Sequence, residues 1–190
     1  MPIKIVTDST AYLPDDLIKT YDISVVSLNV ILNDKIYREM ELSNTFFYEE
    51  MAKAKEIPTS SQPSPEEMLD TFESLLKKGY DIVGIFMSSG LSGTFESTHL
   101  FREMILEKYP DRKIELIDST SCCMQMGYPV LEAAKMAKEG KSMEEVVEAA
   151  RWSIEHSRFI FTPNSLDYLQ KGGRIGGASA LLGNLLAMLR

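Results

Sequence analysis

The stretch DIVGIFMSSGLSGT (81–94) runs from a mostly apolar segment, Asp81 to Met87, into seven residues carrying four hydroxyl side chains and two glycines. A short apolar run rich in branched residues and closed by glycine and serine reads as a buried strand. The helical spacing that begins at Thr94 makes the whole stretch a strand, a tight loop and a helix start. Working outward, four further runs have the same character: IKIVTD (3–8), ISVVSLNVIL (23–32), KIELID (113–118) and RFIFT (158–162). They alternate with segments of helical period over 14–20, 43–55, 64–79, 94–108, 124–138 and 142–156. Alternation of that kind predicts an α/β fold, a mainly parallel sheet flanked by helices. The second run continues into Asn33-Asp34, which can turn the chain back as a hairpin.

Two helix starts are explicit. Ser64, Pro65 and Glu67 form a cap, a first-turn proline and a capping box ahead of the apolar face Met68, Leu69, Phe72, Leu75 and Leu76. Ser142 and Glu145 repeat the box ahead of Met143, Val146, Val147, Ala150 and Ile154. After Thr162 the composition shifts, first to the polar, glycine-rich NSLDYLQKGGRIGG and then to the apolar ASALLGNLLAMLR. The division expected is an α/β domain over 1–162 and the start of a second, incomplete α/β domain over 163–190. The leucines near the end are expected to be covered by further protein or a partner.

The 190 residues are 44% hydrophobic, enough for a sizeable core. A net charge of -8 argues against nucleic acid, because affinity for phosphodiester backbones comes mainly from Lys and Arg. No run reaches the ~20 apolar residues of a membrane span, and the amino terminus lacks a secretory pattern, so a cytoplasmic protein without stable membrane insertion is expected. The adjacent Cys122 and Cys123 are too close for an ordinary structural disulfide, and reduced thiols fit the same compartment.

Ligands of open parallel sheets bind beyond the carboxyl ends of the strands. Three such ends are hydroxyl-rich: TDST (7–10), SSGLSGT (88–94) and DSTS (118–121); the loop PTSSQPSP (58–65) is a fourth such segment. Asp8 and Asp118 suit Asx-type caps on their turns. The loop 88–94 suits a helix entry in which one or two hydroxyls cap, leaving others to spare. Neither a Walker phosphate loop nor G-x-G-x-x-G is present. His99 and His156 lie in helical patterns without metal-like spacing, so no metal is expected. A serine hydrolase using Ser92 would need a base that the sequence does not supply. Hydroxyls without a base, beside glycine-freed backbone N–H groups at a helix start, suit binding of a carboxylate or phosphate.

Taken in order, DST near the amino terminus, TSSQPSP, SSGLSGT, DS after the fourth strand and LDYLQKGGRI resemble the DegV family of bacterial fatty-acid-binding proteins. The resemblance implies a parallel-sheet α/β domain followed by a second α/β domain, with a long-chain fatty acid in a tunnel. It also implies a carrier rather than an enzyme, needing no cofactor, that presents the acid to a fatty acid kinase for phospholipid synthesis. By the same resemblance, Ser92 and Ser60 bind the carboxylate, with Thr59 as the alternative to Ser60. Arg174 stands at the mouth, and Gly90 and Gly93 let the backbone approach. The rival readings are the Ser92 hydrolase and a non-catalytic interaction module docking through its apolar carboxyl end. Family members continue well past GNLL, so this chain is expected to be a truncated member or a fragment.

Overall fold

The structure is a computed structural model, and it describes residues 1–176. Its main sheet has the order β2-β1-β6-β7, built from β1 (Ile3–Asp8), β2 (Ser24–Val26), β6 (Asp81–Phe86) and β7 (Ile114–Asp118), all parallel. A second, antiparallel sheet of order β4-β3-β5 joins β3 (Asn29–Leu32), β4 (Lys35–Arg38) and β5 (Thr59–Ser61).

β6 is buried along its whole length, as its uninterrupted apolar pattern requires of a central parallel strand. Its alternate residues feed two cores. Ile82 and Phe86 join Val6, Leu116 and the buried faces of α3 (Pro65–Lys77) and α4 (Thr94–Lys108). Val83 and Ile85 join Ile5, Ile117 and the buried faces of α5 (Cys123–Lys138) and α6 (Met143–Glu155), with Ile18 of α1 (Asp15–Tyr21) packed alongside. The sheet is therefore covered on both sides. Remaining helices are α2 (Asn44–Lys53) and the short α7 (Asp167–Lys171).

Several expectations change in detail. The run 23–32 is two strands in two different sheets, and Asn33 and Asp34, at φ 51° and 61°, make the primed hairpin turn that returns β3 into β4. The capping box of α6 is complete, but that of α3 is half formed. Ser64 accepts from the Glu67 N–H, whereas the Glu67 carboxylate turns away to the Arg38 guanidinium and the Ser27 N–H. A nearby arginine offers a charged carboxylate more than one backbone amide does.

The run 158–162 is not a strand. It pairs with no strand, and Phe159, Ile160 and Phe161 are exposed. Apolar composition alone does not make a strand when no neighbour pairs with it. The polar segment 59–61, in turn, is a strand that no hydrophobic pattern announces. Of the expected second domain, residues 177–190 with their leucines lie outside the described residues.

Candidate functional site

The switch point of the main sheet lies between β1 and β6, where the chain leaves β1 toward β2 on one side and returns as β6 on the other. Asp8 closes that point. Its buried carboxylate accepts from the Thr10 N–H at 3.0 Å, from the Thr10 hydroxyl, and from the Met87 N–H at 2.9 Å. Asp118 does the same at β7, accepting from the Thr120 N–H at 2.8 Å and from the Ser89 hydroxyl at 2.6 Å. Both aspartates therefore cap their own turns and also brace the Met87–Thr94 loop from either side.

Burial pushes the Asp8 carboxyl above its ordinary range, with a smaller upward push from the Glu39 charge; the Thr10 and Met87 hydrogen bonds pull the other way. A carboxyl whose folded value is raised binds its proton more tightly in the native state. Between the unfolded value, about pH 4, and the folded one, stability falls as pH rises, and above the folded value the loss is complete. Asp8→Asn is expected to flatten this fall relative to the parent across the weakly acidic range. Urea midpoints of both proteins, taken at a series of pH values, check it; parallel profiles would contradict it.

Within the braced loop, Ser92 Oγ lies 2.9 Å from the Thr94 hydroxyl and accepts from the Thr94 N–H at 3.2 Å. Gly93 is the N-cap of α4 and makes no side-chain cap bond. Ser92 is thus half-buried at a helix entry whose first N–H groups have no carbonyl partner within the helix. A Cβ at Gly93 would stand 2.9 Å from the Gln62 side-chain nitrogen, so any larger residue there displaces the end of that side chain. Gln62 reaches across to the helix, accepting from the Ser97 hydroxyl at 2.6 Å. His99 packs edge-on against Phe95, with ring centroids 4.9 Å apart, and the Ser92 hydroxyl turns to Thr94 rather than to an imidazole.

The Gln62 link carries β5 to the same place. In the β3–β5 register, Ser60 lies opposite Val30 and Thr59 opposite Ile31. Directly opposed residues of an antiparallel pair share a face, and neighbours along a strand take opposite ones. Ser60 therefore shares the face of Val30, while Thr59 shares the outer face of Ile31 and of the exposed Ile36.

Val30 lines a cavity of about 350 Å³ enclosed by the turn after β1, α1 and α2. Its walls include Leu13, Leu42 and Phe47, and its polar groups include the acids Asp8, Asp15 and Glu39. Glu39 accepts from the Tyr12 hydroxyl at 2.6 Å and from the Ser9 hydroxyl. The sequence reading missed this cavity, because its walls come from four separate segments with no motif of their own.

Arg174 approaches from the third side. A turn through Gly172 and Gly173, the latter at φ 74°, follows α7 and brings the guanidinium Nε to the Leu91 carbonyl at 3.3 Å. Arg174 and, through Gln62, the end of β5 thus both reach the segment that carries Ser92 and Gly93; Ser60 stands two residues before Gln62, and Gly90 lies beside the Ser88 hydroxyl that accepts its N–H at 3.1 Å. Among the described residues no cluster of three or more His, Cys, Asp or Glu could hold a metal, and no helix is long and apolar enough to cross a membrane.

The sequence and the fold have counterparts among known proteins. A family model described as an uncharacterised protein of the DegV family matches residues 2–188. A DegV domain-containing protein of Clostridium perfringens is 50% identical over 186 residues, spanning 98% of this chain and 66% of its own length. A DegV family protein from Thermus thermophilus, solved for its fatty acid binding, superposes with a TM-score of 0.86 at 34% identity, covering 98% of this chain and 65% of its own. DegV of Bacillus subtilis, described as a fatty acid binding protein, gives 0.84 at 36%, covering 96% and 64%. The chain therefore spans about two thirds of the length of the relatives it matches. On this sequence match and shared fold, the chain belongs to the DegV family.

Proposed function

We propose that the protein binds a long-chain fatty acid and acts as a carrier rather than an enzyme, with Ser92 and Ser60 holding the carboxylate and Arg174 assisting at the mouth. The observation that carries this reading is the convergence of two distant segments on the loop and the helix it opens, through Gln62 on Ser97 and Arg174 on Leu91. Two hydroxyl donors, a helix amino terminus and a guanidinium together make a receptor for one carboxylate. The fatty acid binding of the Thermus and Bacillus relatives supports the choice of ligand.

The neighbouring cavity fits the division of labour. Its acids Asp8, Asp15 and Glu39 disfavour an anionic head, while its apolar walls accept a tail. At ~0.8 kcal/mol per buried CH₂, a tail of roughly sixteen carbons contributes on the order of 10 kcal/mol, against ~1.5–3 kcal/mol for each hydrogen bond to a charged head. The tail supplies affinity and the hydroxyls supply orientation. Ser60 rather than Thr59 is the β5 contact, because it shares the face of Val30.

In this reading residues 163–190 begin a second domain that completes the tunnel. The physiological partner is a cytoplasmic fatty acid kinase that phosphorylates the held carboxylate. Native mass spectrometry of the full-length protein, purified without added lipid, is expected to show a bound long-chain fatty acid. Only ligand-free protein, even after incubation with stearate, would sink the proposal.

A further inference from the structure

The side chains of adjacent residues rarely meet, since they alternate across a strand and diverge around a helix. Cys122 and Cys123 are an exception, with their Sγ atoms 3.8 Å apart. The backbone explains the meeting. Cys122 is extended, at φ -150° and ψ -177°, as the N-cap of α5, and Cys123 takes a left-handed φ of 57°. That conformation is uncommon for a residue with a Cβ, and glycine or asparagine would adopt it at less cost. Two cysteines stand here instead. Both are half-buried and free, and Cys122 makes no side-chain cap bond, so neither sulfur is committed to holding the helix.

We infer that Cys122 and Cys123 form a modification site, a vicinal dithiol that a hydroperoxide oxidises to an intrachain disulfide. Burial, together with the neighbouring Cys123 and Asp8, pushes the Cys122 thiol up to about 12, so Cys122 stays protonated at neutral pH. Cys123, the first residue of α5, stands where unpaired helix N–H groups favour a thiolate, and it acts first. Its thiolate attacks the outer oxygen of the hydroperoxide; an S–O bond forms, the O–O bond breaks, and the alcohol or water leaves after taking a proton. The Cys122 sulfur then attacks the Cys123 sulfenic acid; the S–S bond forms, the S–O bond breaks, and water departs with the Cys122 proton. Two thiols lose two electrons in all, and the peroxide bond accepts them.

The product is strained, because Cα atoms one peptide apart are nearer than the ~4.4–6.8 Å of ordinary disulfides. Strained disulfides are the readily reduced ones, so the modification reverses with a dithiol reductant. The pair also adjoins the loop described above, because the Ser121 carbonyl next to Cys122 accepts from the Ser88 N–H at 2.8 Å.

The test treats the reduced protein with hydrogen peroxide, unfolds it in an alkylating reagent and weighs it. The expected product is a monomer in which both thiols are protected together, lighter by two hydrogens in the one peptide holding both, and restored by dithiothreitol. A disulfide-linked dimer, oxygen addition at sulfur, or two thiols still open to alkylation as the main product would each overturn the inference. In Cys122→Ser, peroxide is expected to leave a sulfenic acid on Cys123 that dimedone traps, while Cys123→Ser reacts far more slowly. Equal rates in the two variants would refute Cys123 as the first nucleophile.

Discussion

Phe86→Ala is expected to lower the unfolding free energy by about 3–5 kcal/mol, the range for truncating a fully buried phenylalanine. Phe86 is 0% exposed, ends β6 and packs in the core between the sheet and α3 and α4. For a domain whose total stability is about 5–15 kcal/mol, that is a large fraction. The fit around the ring depends on Gly84. A Cβ at that position would stand 2.6 Å from Phe86 Cε2 and 2.9 Å from Leu116 Cδ2, so the glycine makes room for the ring. Gly84→Ala alone is expected to be destabilising, and the same change in the Phe86→Ala background much less so, because the ring it meets has gone. Denaturant midpoints for the two single variants and the double variant measure the coupling; strictly additive losses would show that ring and glycine are independent.

Ser92→Ala is expected to weaken fatty acid binding by about 10- to 150-fold, corresponding to the ~1.5–3 kcal/mol of one hydrogen bond to a charged group. Displacement of a fluorescent acyl probe from the full-length protein reads this directly. Ser89→Ala is the control: the Ser89 hydroxyl donates to Asp118, so its loss costs stability and leaves affinity near that of the parent. Ser60→Ala is expected to weaken binding as Ser92→Ala does, and Thr59→Ala is not, because the two residues take opposite faces of their sheet. An affinity within twofold of the parent for Ser92→Ala would remove that residue from the site.

The main sheet was legible because its central strands β1 and β6 are buried among apolar neighbours, and burial writes itself into composition. Helix limits followed for a local reason: Ser64 and Ser142 cap through bonds only three residues long. The second half of the α3 capping box was not legible, since Glu67 is drawn to Arg38, twenty-nine residues earlier. The strand expected at RFIFT failed because apolar residues record a need for cover but not whether a partner strand supplies it. β5 was invisible for the complementary reason. Thr59, Ser60 and Ser61 are exposed, so only the ladder to β3 makes them a strand.

The motif order was enough to suggest the family and to single out Ser60, Ser92 and Arg174, because each sits in a short segment of distinctive composition. Sequence by itself thus determined the α/β class, the main strands, most helix boundaries and the chemical character of the loop 88–94. Only the tertiary structure decided that these segments meet, that Ser60 and not Thr59 shares the face of Val30, and that Val30 and Asp8 line a common cavity. Local bonds and burial leave their mark within a few residues of sequence. A strand register and an arginine reaching a carbonyl eighty-three residues away are set by the packing of the whole sheet.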